Sequence, residues 1–131
     1  MSYLLDTNVI IALSKHQVAV VRQVRYRAAS ALCVSAVTMH ELFFGAYGSA
    51  RTNEALRNIE RIALPVLDLT PQDARRAAEC RVRLRQLGTP IGPYDVLIAG
   101  QALNRGLTLI TRNTREFARV EGLTVEDWEG A

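Results

Sequence analysis

Short apolar runs, each closed by a polar residue and followed by helix-forming sequence, recur along the chain and restrict it to one kind of architecture. Tyr3-Leu4-Leu5-Asp6 is the first, Leu32-Cys33-Val34-Ser35 the second, Val66-Leu67-Asp68-Leu69 the third and Leu107 to Thr111 the fourth. Each is too short for a helix and apolar enough for a buried strand. Helical patterns fill the intervals: Val9 to Ser14, Gln17 to Ala29, Ser35 through Tyr47, Asn53 to Ile62, about Gln72 to Leu87, and Tyr94 to Asn104. Ser35 is a good N-cap, and Thr70-Pro71 places a cap before a proline at the first helical position. Gly48, Gly88 and Gly106 supply the stops. A helical turn around Thr114 to Ala118 and an edge strand Leu123-Thr124-Val125 close the chain. Strands separated by helices pair in parallel, because each crossover carries the chain back to the same edge. The pattern therefore predicts an α/β fold, a parallel sheet with helices on both faces.

Parallel sheets bind ligands outside the carboxyl ends of their strands, which directs attention to the polar residues at those ends. Asp6 ends the first strand. Asp6 or Thr7 serves equally well as a cap for the helix behind it. Glu41 lies in a helix whose circumference is otherwise mostly apolar, and a charge there is costly unless paired or metal-bound. Thr38, Glu41 and Gly45 share one narrow polar face at helical spacing. Asp95 opens the helix that follows the breaker-rich loop Gly88 to Pro93, where the helix dipole also favours an acid. Asn113 lies just past the fourth strand. A parallel sheet gathers these four positions on one rim. Clustered carboxylates repel one another and call for a cation, and hard oxygen ligands suit Mg²⁺ or Mn²⁺. Such a metal, or two of them about 4 Å apart, activates water and stabilises the leaving oxygen of a phosphodiester.

Composition bears on the partner. Sixteen basic residues against thirteen acidic ones give a net charge of +3, and Lys15 is the single lysine beside fifteen arginines. Arginine grips phosphate bidentately and stacks on bases, so this usage suits a nucleic acid, although a GC-rich genome produces the same bias. The 131 residues, 49% of them apolar, fit one domain with a real core. No run approaches the roughly 20 apolar residues of a membrane span. The N-terminus has no basic n-region of a signal peptide. Cys33 and Cys80 form no metal-binding spacing and read as reduced core thiols, which points to the cytoplasm.

Four segments together carry a resemblance: Leu4-Leu5-Asp6-Thr7-Asn8, Ser35 through Leu42, Gly92-Pro93-Tyr94-Asp95-Val96-Leu97-Ile98-Ala99, and Thr111-Arg112-Asn113-Thr114-Arg115-Glu116-Phe117. In order and spacing the chain resembles the PIN-domain ribonucleases, and more closely the VapC toxins of bacterial toxin–antitoxin pairs. The tail Val120 to Trp128 also resembles the ending of that group. The resemblance covers nearly the whole chain. It implies a PIN-like three-layer α/β/α sandwich with a mostly parallel five-stranded sheet, spanning residues 1–131 as one domain. It further implies a Mg²⁺- or Mn²⁺-dependent endoribonuclease, a VapB-type antitoxin that occludes the site, and a homodimer. The implied substrate is structured RNA, with tRNA near its anticodon as the leading candidate. Asp6, Glu41 and Asp95 match the three core acids and are the implied metal ligands. Asn113 falls where many members carry a fourth acid, so it can orient a ligand water but brings no charge. Glu116 is a weaker match nearby. Thr7, Asn8 and Thr111 resemble supporting polar positions, and Arg112, with Arg115, is placed to meet phosphate.

Other classes fit less well. A phospho-acceptor receiver needs a lysine at the phosphate, and Lys15 is poorly placed. A haloacid-dehalogenase-like phosphatase wants a second acid where Asn8 stands. The alternative that competes is a non-catalytic RNA-binding module of the same fold, which the missing fourth acid permits.

Overall fold

A computed structural model describes residues 2–130 of the protein. Five strands, β1 (Tyr3–Leu5), β2 (Leu32–Ser35), β3 (Val66–Leu67), β4 (Thr108–Ile110) and β5 (Val125–Glu126), form one sheet in the order β3-β2-β1-β4-β5. Every neighbouring pair is parallel. The helices are α1 (Thr7–Ser14), α2 (Val18–Tyr26), α3 (Ala36–Tyr47), α4 (Thr52–Glu60), α5 (Pro71–Gln86), α6 (Pro93–Arg105) and α7 (Thr114–Phe117).

Strand residues alternate between the two faces of the sheet, and the register turns that alternation into two cores. Leu4 pairs with Cys33 and Leu109, and all three pack under α5, α6 and Phe117. Leu5 pairs with Val34 and Ile110, and these pack against Val9, Ile10 and Ala12 of α1, Val20 of α2 and Trp128. Both faces are covered, so the three-layer sandwich expected from the sequence is what forms.

Local chemistry sets the helix ends. Asp6 caps α1, its Oδ1 accepting from the Thr7 N–H at 2.8 Å, so the helix begins two residues before the expected Val9. Ser35 caps α3 through Val37 N–H. Thr70 and Asp73 form a reciprocal capping box at the start of α5. Gly106 closes α6 at φ 65°, a left-handed conformation that glycine adopts without a Cβ penalty. The second helix is shorter than expected: it ends at Tyr26, and a separate 3₁₀ turn covers Ala29–Ala31.

The sequence pattern carries the third strand through Leu69, yet pairing stops at Leu67. The reason lies at Asp68, whose carbonyl accepts from Gln101 Nε2 at 3.1 Å and Arg105 Nη2 at 2.8 Å. Those side chains draw the backbone away from the sheet towards α6. Asp73 anchors the same junction, fully buried and paired to Arg105 at 2.9 Å. Burial alone raises its pKa. Hydrogen bonds from Arg105, the Thr70 N–H, Asn104 and Gln101 outweigh that effect and hold the carboxyl well below the usual range. The last strand sits two residues later than expected, because the Thr124 carbonyl accepts from Leu109 N–H and pairing begins at Val125. Beyond it, Trp128 is buried against Tyr3, and the Arg27 guanidinium lies 4.3 Å from its ring centroid. Of the two free cysteines, Cys33 is buried and Cys80 partly buried.

Candidate active site

The sheet order reverses at β1, since β2 lies on one side of it and β4 on the other. Asp6 leaves the central strand at this crevice, its own N–H held by the Ile110 carbonyl at 2.8 Å. The side chain is 3% exposed and surrounded by donors. Thr111 Oγ1 donates to Oδ2 at 2.8 Å, Asn8 Nδ2 donates to the same oxygen at 3.2 Å, and the Thr7 N–H holds Oδ1. Burial raises the Asp6 pKa, those three donors oppose the rise, and the charge of Glu116 adds to it. Cap and site are therefore not alternatives. One oxygen caps α1 while the other is oriented by two side chains.

Thr111 is fully buried and also accepts the Asn113 N–H at 3.0 Å. Asn8 accepts the Arg112 N–H at 3.0 Å. Both residues thus tie the end of β4 to the end of β1. Thr7 Oγ1 donates to Glu41 Oε1 at 2.9 Å and approaches Thr38 Oγ1 at 3.4 Å. Through these contacts the polar face of α3 meets the first turn of α1, and the buried Thr38 floors it.

Asp95 lies in the first turn of α6, half-buried, with a carboxylate oxygen folded back towards Gly92, where a Cβ would sit 3.0 Å away. Among the described residues none hydrogen-bonds to it. Burial, then the charges of Asp6, Glu116 and Glu41, push its pKa up to about 6. Four carboxylates thus share one electrostatic environment on the rim. Among the described residues no three of them converge into a tight metal cage. The set is an open ring of hard oxygen atoms, which fits a Mg²⁺-like ion that keeps several of its waters.

Asn113 brings no charge to that ring. It is exposed, and it precedes α7 without a side-chain cap bond. One turn further on stands Glu116, whose Oε1 accepts the Gly92 N–H at 3.4 Å and whose charge reaches Asp6 and Asp95. Its signal in the sequence was the spacing of three residues from Asn113, which a helical turn converts into nearness. Arg112 and Arg115 are exposed beyond β4, with no carboxylate partner among the described residues. On the other side, a groove of about 520 Å³ runs from Thr7 and Glu41 between α1, α3 and α4 to Lys15, lined mainly by Ile10, Ile11, Leu42, Ile59 and Ile62.

The pattern of the PIN domain matches residues 3–123, nearly the entire chain. The protein belongs to the PIN-domain family. Within it, this PIN domain is similar to the tRNA(fMet)-specific endonuclease VapC of Salmonella typhimurium, at 38% identity over 130 residues and 98% of each chain. The protein of the same name from Shigella flexneri is 40% identical over the same coverage. The fold superposes on the structure of DNA-bound VapBC from Salmonella typhimurium with a TM-score of 0.93 and 37% identity, again over 98% of each chain. The acids of this PIN domain thus stand on a scaffold that matches a VapC toxin from end to end.

Proposed function

We infer that this chain is a VapC-type toxin, a divalent-metal-dependent endoribonuclease that hydrolyses phosphodiester bonds in structured RNA. The observation that carries this reading is the gathering of Asp6, Glu41 and Asp95 on one rim, where burial first, and then the charges of Asp6, Glu116 and Glu41, push the Asp95 pKa up to about 6. A fold gains nothing from such repulsion; a cation site does. Asp6 and Asp95, with Glu41, are the residues that would hold Mg²⁺ or Mn²⁺. When bound, the metal neutralises the phosphate and lowers the pKa of an attacking water.

The chain's own groups do the positioning. Thr111 and Asn8 fix the free oxygen of Asp6. Thr7 fixes one oxygen of Glu41 and leaves the other to hold and polarise the attacking water. Glu116, in place of Asn113, adds negative charge opposite Asp95. Arg112 and Arg115 meet phosphates beyond β4. By likeness to relatives named for tRNA(fMet), tRNA is the substrate. By likeness to the solved VapBC complex, a VapB-type antitoxin is the partner, and the apolar groove beside Glu41 offers its chain a seat. The reading also places the toxin in the cytoplasm, as a homodimer built from single domains of residues 1–131. Among the described residues no helix is long and apolar enough to cross a membrane.

The test is incubation of the purified protein with total tRNA in Mg²⁺ and in Mn²⁺, with the cut ends mapped. Asp6→Asn and Asp95→Asn are each expected to lower the rate by about 100-fold or more. Binding of tRNA without cleavage in either metal replaces the enzyme with a non-catalytic RNA-binding module.

A further inference from the structure

Two of the rim acids are each preceded in sequence by an aromatic ring, and the fold brings those two rings together. His40 precedes Glu41 on α3, and Tyr94 precedes Asp95 on α6. Their ring centroids lie 5.6 Å apart at an interplanar angle of 55°. This is a tilted contact, in which one ring braces the other and leaves part of a face free. The pair does not belong to either core: His40 is exposed, and Tyr94 remains 48% exposed despite the contact. It joins α3 to α6 as an exposed lip, one residue before Glu41 and one before Asp95.

The surroundings select what such a lip can hold. A phosphate is repelled by Glu41 and Asp95 unless a cation intervenes. An uncharged planar group is not. An unpaired nucleobase offers a π-face to an aromatic side chain, and stacking of this kind is how proteins commonly hold single-stranded RNA. A strand whose scissile phosphate sits over the acids has its neighbouring base within reach of the residue next to Asp95.

We propose that Tyr94, braced by His40, is the stacking surface for an unpaired base adjacent to the phosphate that is cut. The proposal deepens the ribonuclease reading and rests on it for the position of the scissile phosphate. Tyr94 is then a substrate-binding residue that restricts cleavage to RNA whose bases can be splayed out, as in a loop. His40 is a positioning residue that sets the tilt of the tyrosine ring.

The experiment uses an anticodon stem-loop oligoribonucleotide with 2-aminopurine at each loop position in turn, alongside cleavage of total tRNA. The unmodified protein is expected to quench the fluorophore at one position next to the cut. Tyr94→Phe keeps the ring and should keep both quench and KM. Tyr94→Leu keeps an apolar side chain against His40 but removes the π-face. It should abolish the quench and raise KM about 5- to 100-fold, with a smaller change in kcat. His40→Ala should weaken the quench by less. An unaltered KM and quench in a folded Tyr94→Leu overturns the proposal. So does a Tyr94→Phe variant as impaired as the leucine, because the hydroxyl rather than the ring would then matter. A loss accompanied by a changed sedimentation coefficient also overturns it, since the ring would then serve subunit contact. If the unmodified protein cuts no RNA in either metal yet still quenches at one loop position, the stacking surface stands and the nuclease reading falls.

Discussion

At the scale of single residues, the acids of the ring differ in what holds them. Asp6 and Glu41 are each held through an oxygen by a neighbouring hydroxyl, whereas Asp95 has no donor among the described residues and is pressed by burial and by three like charges. Glu116 belongs to that pressure and Asn113 does not. Replacing Glu116 by Gln removes one charge facing Asp6 and Asp95 while preserving shape. The half-saturating Mg²⁺ concentration for RNA cleavage is expected to rise about 10-fold or more. Asn113→Ala, at an exposed position, is expected to change it by less than about 3-fold. Metal titrations of cleavage by the two variants measure this, and equal effects would return the fourth position to Asn113. Asp6, Glu41 and Asp95 were legible in the sequence because an acid in an apolar helix, or at a strand end, contradicts its surroundings. Glu116 was nearly hidden: on a short exposed helical turn an acid contradicts nothing, and only the packing of α7 against the loop before α6 gives it a neighbour.

At the scale of elements, the position of Asp95 depends on how closely α6 lies against α5. Gly100 makes that approach, since a Cβ there would stand 2.4 Å from Ala77 Cα and 2.5 Å from Ala77 N. Those atoms belong to backbone and cannot step aside as a flexible side chain would. Gly100→Ala gains about 1 kcal/mol of helix propensity and loses more to overpacking, so the variant is expected to be less stable by about 2 kcal/mol. Thermal denaturation measures it; an increase in Tm would mean that the helices have slack. Because α6 carries Asp95, cleavage should fall as well, through displacement of the acid. This element was only partly legible. The small residues of Tyr94 to Asn104 announced a helix that approaches its neighbours closely. The buried Asp73–Arg105 pair at the far end, and the loss of two residues from β3, were not announced. They arise from hydrogen bonds between residues more than thirty positions apart, such as Arg105 to the Asp68 carbonyl, and no local pattern encodes such contacts.

At the scale of the whole molecule, alternating strands and helices left few topologies open, and an apolar run buried on both faces reads plainly as a parallel strand. The short edge strand β5 reads poorly, because two residues of pairing leave no period to detect. The same sheet that buries Leu4 and Leu5 delivers four carboxylates to one rim, so function here opposes stability. The sign is fixed by Asp95. In the metal-free protein its pKa, about 6, lies above that of an unfolded aspartate near 3.9. Its protonated form therefore favours the fold fully below about pH 4, and that contribution is lost as the pH rises through about 6. Asp95→Asn escapes the loss. Allowing for solvent screening of a half-buried group, it should be more stable than the unmodified protein near neutral pH by about 1–2 kcal/mol. The advantage should vanish near pH 4. Added Mg²⁺ should stabilise the unmodified protein by binding only its folded form, and the variant much less, so the gap closes from the other side. Urea titrations at both pH values, with and without Mg²⁺, follow all three effects on one pair of proteins. A gap that is the same at both pH values would show that the ring of acids does not strain the fold. A gap that Mg²⁺ leaves untouched would show that the strain is not relieved by metal.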